Sequence, residues 1–258
     1  MKLLRTQVMQ AALGGLALGV LAPPATAGFV FTFDDGSGLS AEAEFTLTGP
    51  TTLVVRLKNT STGIPGGFSN SDQLLTGISW DFVHPGLSGD AVILGGSATT
   101  GPTSFSVNFD VQNVGPNEDV SGEWGYGNSG GSGLLPNFIT AMQAHSTPFG
   151  GANLDGPVRM DGPQGGLVSS FASIDLGGIG AIQDEIIASL DLSRAMTESE
   201  LLDDLASSGL RVEFGSDAYF IDTIPASGML ALFALAGLVG SRRRRSQAPR
   251  TDRLEVAA

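Results

Sequence analysis

The sequence predicts a mostly β protein. The expected form is an antiparallel, jelly-roll-like β-sandwich with one or two short helices, flanked by an N-terminal signal helix and a C-terminal single transmembrane helix. Three observations predict it. Glycine accounts for 37 of the 258 residues, and clusters of Gly, Ser and Asn interrupt the chain at short intervals, as turns do between strands. Apolar and polar residues alternate with a period of two over several stretches, the pattern of a sheet with one wet face. The long amphipathic helices and continuous apolar runs of a parallel α/β sheet are missing.

Phe29, Phe31 and Phe33 alternate with Val30 and Thr32. Ala41, Ala43, Phe45 and Leu47 alternate with Glu42, Glu44, Thr46 and Thr48, and Gly49-Pro50 marks a turn. Leu53, Val55 and Leu57 then alternate with Arg56 and Lys58. These two segments predict an antiparallel hairpin with Glu42 and Glu44 facing Arg56 and Lys58 across it. Residues 63–72 read as a loop. Ile78, Trp80 and Phe82 form an inward row, with Ser79, Asp81 and His84 on the other side or at the strand end. Residues 91–94 read as a short apolar strand. Phe105, Val107, Phe109 and Val111 alternate with Ser104, Ser106, Asn108 and Asp110, which predicts the strongest strand of the chain.

Residues 115–133 are Gly-rich and irregular, with Trp124 and Tyr126 among them. A domain break there is an alternative to one continuous sandwich. Residues 137–145 read as a short helix and 150–166 as a long turn region. Strand patterning resumes over 168–176 and 186–192. Thr197 and Glu200 make a capping box that opens a helix ending at Gly209. Leu210, Val212 and Phe214 make the last strand, and 215–223 leads out of the body. No repeat of fixed period is present.

The two ends carry targeting patterns. Lys2 and Arg5 give a positive start, residues 11–21 are apolar, and Ala25-Thr26-Ala27 is an A-x-A site, so residues 1–27 predict a signal peptide cleaved before Gly28. At the other end Ile224, Pro225 and Ala226 form a hinge, an uncharged run extends to Gly240, and Arg242, Arg243, Arg244 and Arg245 follow. A bilayer needs about 20 apolar residues, and this run supplies about 15–17. The arginines stop translocation and stay cytoplasmic, because a guanidinium is not readily neutralised in hydrocarbon. A permanent tail anchor and a buried terminal helix fit the same apolar run. Residues 28–222 are the expected ectodomain, 223–245 the C-terminal signal and 246–258 a disordered tail.

Hinge, short apolar segment and Arg cluster together resemble the PEP-CTERM sorting signal read by exosortases. Pro225-Ala226-Ser227 stands where that family carries Pro-Glu-Pro, and 13 residues follow the arginines. The stretch from Asn153-Leu154-Asp155-Gly156-Pro157 through Asp161-Gly162 to Ser169 also resembles the Asp/Gly-rich segment of some exosortase-dependent surface proteins. The resemblance implies a Gram-negative host, export, transient inner-membrane anchoring and cleavage near Pro225. It also implies delivery to the cell surface, to a biofilm or to the extracellular matrix. The implied partners are the exosortase, the export machinery and exopolysaccharide.

Of the chain's 13 Lys+Arg and 26 Asp+Glu, eight basic and two acidic residues lie outside 28–224; that segment keeps 24 acids against 5 bases, net −19. Such a charge opposes binding to nucleic-acid phosphates. With no cysteine, thiol catalysis, Cys-ligated zinc and disulfides are excluded. Asp34-Asp35-Gly36 and Asp155-Gly156 with Asp161-Gly162 offer oxygen ligands for a structural Ca²⁺, although Asp-Gly pairs also form ordinary turns. Asp81 and His84 lack a third zinc ligand, and His145 stands alone. Gly127-Asn128-Ser129-Gly130-Gly131 has the G-x-S-x-G spelling without the following helix that a nucleophile elbow requires, so it reads as a Gly/Ser loop. No carboxylate pair is singled out for glycoside cleavage. The expectation is therefore no catalytic residue and a structural or adhesive role. A carbohydrate- or calcium-binding surface module is the alternative, and a secreted hydrolase is a third.

Overall fold

The computed structural model describes residues 28–82, 90–131, 133–143, 146–156, 160, 162–170, 176–216 and 219–223. The chain opens with β1 (Phe29–Asp34), β2 (Ser40–Gly49), β3 (Thr52–Asn59), β4 (Leu75–Trp80) and β5 (Ile93–Thr100). Short strands follow: β6 (Ser106–Val107), β7 (Gly125–Gly127), β8 (Asn137–Thr140), β9 (Thr147–Pro148), β10 (Leu167–Val168) and β11 (Ala181–Gln183). The chain continues with β12 (Glu185–Leu192), α1 (Glu198–Ser208), β13 (Leu210–Phe214) and β14 (Tyr219–Asp222). A 3-10 turn, Asn70–Gln73, precedes β4 and begins within the expected loop.

The protein is mostly β, with two sheets. One is five-stranded in the order β1-β2-β3-β12-β5, antiparallel at every step. The other holds nine strands along β6-β11-β10-β4-β8-β7-β9, with β13 also on β4 and β14 on β13. Its β10–β11 pair is parallel, a departure from the all-antiparallel expectation. Buried side chains of both sheets, from Phe33 to Ile221, make one apolar cluster. At its centre Phe45 meets Trp80 edge-on at 5.2 Å and 82°, and Trp80 meets Phe82 at 5.9 Å and 80°. Edge-to-face pairs of this kind add about 0.5–1.5 kcal/mol beyond their burial.

The β2–β3 hairpin has the expected register, with Glu42 opposite Lys58 and Glu44 opposite Arg56. Ala41, Ala43, Phe45, Leu53, Val55 and Leu57 are buried on its other face. Ile78, Trp80 and Phe82 are buried as expected. Ser79 is buried too, because β4 lies between neighbours and is covered on both faces. Its hydroxyls bond to backbone instead of water: Thr76 Oγ1 donates to Gly215 O at 2.9 Å and Ser79 Oγ to Arg211 O at 3.4 Å.

Three expectations are overturned. The stretch 104–111 forms a strand over Ser106–Val107 alone. Asn108 has φ +62°, a left-handed conformation that ends the extended run. The facing of its first part is also inverted: Ser104 and Ser106 are buried while Phe105 is 42% exposed; further on Phe109 is buried as expected and Val111 is 64% exposed. The serines go inward because their oxygens accept backbone hydrogens, Ser106 Oγ from Val114 N and Ser104 Oγ from Glu185 N. The expected helix over 137–145 begins instead as β8, inserted between β4 and β7, where both neighbours satisfy its backbone. Residues 219–222, read as an exit path, form β14. The short strand at 91–94 becomes β5 and runs through Gly95 and Gly96 to Thr100.

Helix α1 follows its cap. Thr197 Oγ1 accepts from Glu200 N, and Glu200 Oε2 accepts from Thr197 N at 2.7 Å. Leu201 and Leu205 are buried beneath it. No helix among the described residues is long and apolar enough to cross a membrane. The signal residues Ala25 and Ala27, the hinge Ile224, Pro225 and Ala226, and Arg242, Arg243, Arg244 and Arg245 lie outside the described residues.

Candidate functional site

The hinge is approached through the last two strands. β14 pairs with β13 and with no other described strand, and Arg211 stands opposite Asp222. Arg211 Nε and Nη2 donate to the two Asp222 carboxylate oxygens at 2.5 and 3.0 Å, its Nη1 donates to Gly133 O, and its guanidinium lies 5.1 Å over the Phe220 ring. The planar fork of arginine suits this combination of bidentate pairing and stacking. Beyond Asp222, Thr223 N donates to Leu210 O at 2.9 Å and Leu210 N donates to Thr223 Oγ1 at 3.2 Å. Backbone pairing thus continues to Thr223, the residue before Ile224.

Glu213 lies in the same hairpin, between Gly77 of β4 and Phe220 of β14. It is 6% exposed, and no described group offers it a hydrogen bond or counter-charge. Loss of hydration pushes its carboxyl up to about 7 from 4.5, since burial penalises the charged form. Sequence reasoning missed it. Its position in an alternating strand, between Val212 and Phe214, marks the face opposite the core, and that local pattern does not show that this face is buried as well.

A second group of charges lies on the five-stranded sheet. Arg56 donates from Nε and Nη2 to Glu185 Oε2 at 2.7 and 2.6 Å, and its Nη1 is 3.9 Å from Glu44 Oε2. The hydrogen bond to Glu185 raises the Arg56 pKa further. Lys58 Nζ is 3.3 Å from Asp184 Oδ2. The hairpin register places the Glu44–Arg56 pair, as expected, but the partner that holds Arg56 is Glu185, from a strand more than a hundred residues on.

The candidate calcium ligands are placed separately. Asp34 Oδ1 accepts from Gly36 N at 2.7 Å and Asp35 Oδ1 from Ser37 N at 2.9 Å, so both carboxylates close turns on their own loop. Asp35 also accepts from the Tyr219 hydroxyl. Burial pushes the Asp35 carboxyl up, but the hydrogen bonds from Ser37 and Tyr219 outweigh it and hold the group below its usual value. Asp155 is half-buried in the 150–156 turn, and Asp161 lies outside the described residues. Among the described residues no three acidic or histidine side chains gather as a metal group. Asp81 ends β4 with its carboxyl raised by burial, while His84 and His145 lie outside the described residues. Ser129 is exposed in a bend after β7, and no helix follows it. The strand-to-helix turn of a nucleophile elbow is therefore not formed there. Trp124, read in an irregular stretch, is fully buried, and its Nε1 donates to Gly165 O at 3.0 Å.

No family model, no curated protein and no solved structure matches this chain.

Proposed function

We propose that this chain is an exported, exosortase-processed protein of the cell surface or extracellular matrix, with a structural or adhesive role carried by a jelly-roll-like β-sandwich. The signal peptide takes the body outside. The C-terminal apolar run holds it in the inner membrane with Arg242–Arg245 inside, and cleavage near Pro225 releases or re-anchors it. The body performs no catalysis in this reading. Its partners are the exosortase and the export machinery, and at the surface exopolysaccharide; its net charge of −19 over 28–224 disfavours nucleic acid.

The observation that carries the reading is the position of the last backbone pairing. β14 is bonded through Thr223 to Leu210, and the hinge begins at the next residue. A cut at 224–226 therefore removes none of the described strands of either sheet. The paired run of Phe29–Asp34 likewise starts just after the A-x-A site, so removing residues 1–27 costs none of the described strands. Intact mass of the protein recovered from its host tests the proposal. The expected mass lacks the segment that contains Leu254 and the arginines. Retention of the peptide with Leu254 overturns it.

A further inference from the structure

Among the described strands β1 is an edge of its sheet, with β2 as its partner and Val30 opposite Glu44. Gly28 comes just before it. A Cβ on Gly28 would lie 2.1 Å from Glu44 Oε1. Standard bond lengths and angles then put the Gly28 nitrogen within about 4.5 Å of that oxygen. The register puts Glu44 and Arg56 level with Val30, puts Glu42, Lys58 and Glu185 level with Thr32 and Asp184 beyond them, and puts Asp191 of β12 on the Gly28 side. Asp34 is at the far end of β1. Arg56 is committed to Glu185 and Lys58 to Asp184, at 2.6 and 3.3 Å. Arg56 approaches Glu44 only to 3.9 Å, by its third nitrogen. Glu185 and Asp184 thus hold the two cations, and Glu44 has only a long contact with Arg56.

With the leader attached, residue 28 offers a neutral peptide amide. Cleavage after Ala27, on which this inference rests, replaces it with an α-ammonium whose ordinary pKa is about 7.7–8.0. We infer that this new ammonium pairs with Glu44, so that removal of the leader tightens the edge strand β1 onto its sheet. The device couples maturation to stability: the body is held more firmly once it has been cut free. An acidic partner raises the pKa of an amine. The stabilisation is therefore fully present below the ordinary α-amino pKa and is lost as pH rises through the raised one. Glu44 keeps a third of its side chain in water, so the effect is modest.

The exported protein provides the test. Its N-terminal residue is read first, and its unfolding in urea is then followed with the α-amine free and after selective acetylation near pH 6.5, where the one lysine of the exported body stays protonated. Acetylation is expected to lower the folding equilibrium constant about two- to five-fold, the range of exposed ion pairs. The effect is expected to vanish in E44Q, to persist in E42Q, and to fade in the unmodified protein above about pH 9. An N-terminus other than Gly28 overturns both the leader assignment and the pairing. A Gly28 start with equal acetylation effects in wild type and E44Q overturns the pairing alone. Sorting at the C-terminus is judged separately by the mass of the tail.

Discussion

Glu213 is a buried carboxyl with no counter-charge among the described residues, and its titration should be visible in the stability of the whole body. Its folded pKa, about 7, lies above its ordinary 4.5. Between those values the folded state holds a proton that the unfolded state has released, so stability falls as pH rises through that window and levels off above it. Glu213→Gln removes the cost of ionisation and keeps the shape. The variant is expected to match wild type near pH 4.5 and to exceed it at pH 8 by roughly 1–3 kcal/mol in urea unfolding, the usual scale for a desolvated charged group. Equal stability at pH 8 would show that the carboxyl reaches water. At this scale the sequence was informative wherever alternation was strict. Glu42, Glu44, Arg56 and Lys58 face each other as their spacing requires. It misled at Ser104 and Ser106, because a hydroxyl that accepts a backbone hydrogen can be buried in place of Phe105.

Local signals decided some elements without help from the rest of the fold. The capping box of α1 is one, since Thr197 and Glu200 satisfy donors of their own first turn. Thr197→Ala removes one of those bonds and is expected to cost about 1 kcal/mol, read as a lower urea midpoint with unchanged slope. An unchanged midpoint would mean that the buried Leu201 and Leu205 hold the helix by themselves. Asn137–Thr140 shows the opposite case. Four residues, of which only Phe138 and Ile139 are apolar, carry no period by which to choose between helix and strand. The segment becomes β8 because β4 and β7 lie on either side of it. β7 itself depends on close approach: a Cβ on Gly127 would lie 2.0 Å from the Phe138 ring, so the glycine at that position serves packing.

Across the whole molecule the charge is lopsided. The chain carries net −13, and its segment 28–224 net −19; that charge repels itself, and the repulsion opposes the compact state. Raising ionic strength from about 0.01 to 0.15 M shortens the screening length from roughly 30 to 8 Å. The melting temperature is therefore expected to rise by several degrees over that interval with NaCl and KCl alike. A fall would mean that the Arg56–Glu185 and Arg211–Asp222 pairs outweigh the repulsion. The sequence by itself determined the mostly β character, the β2–β3 register, the capped helix and the acidic surface. Each of these follows from neighbours two to four residues apart, or from composition. Only the tertiary structure decided that β4 is covered on both faces, that Arg56 belongs to Glu185, that 104–111 turns its serines inward and that Glu213 loses its water. Those outcomes depend on which distant strands come to lie alongside, and no local period encodes that choice.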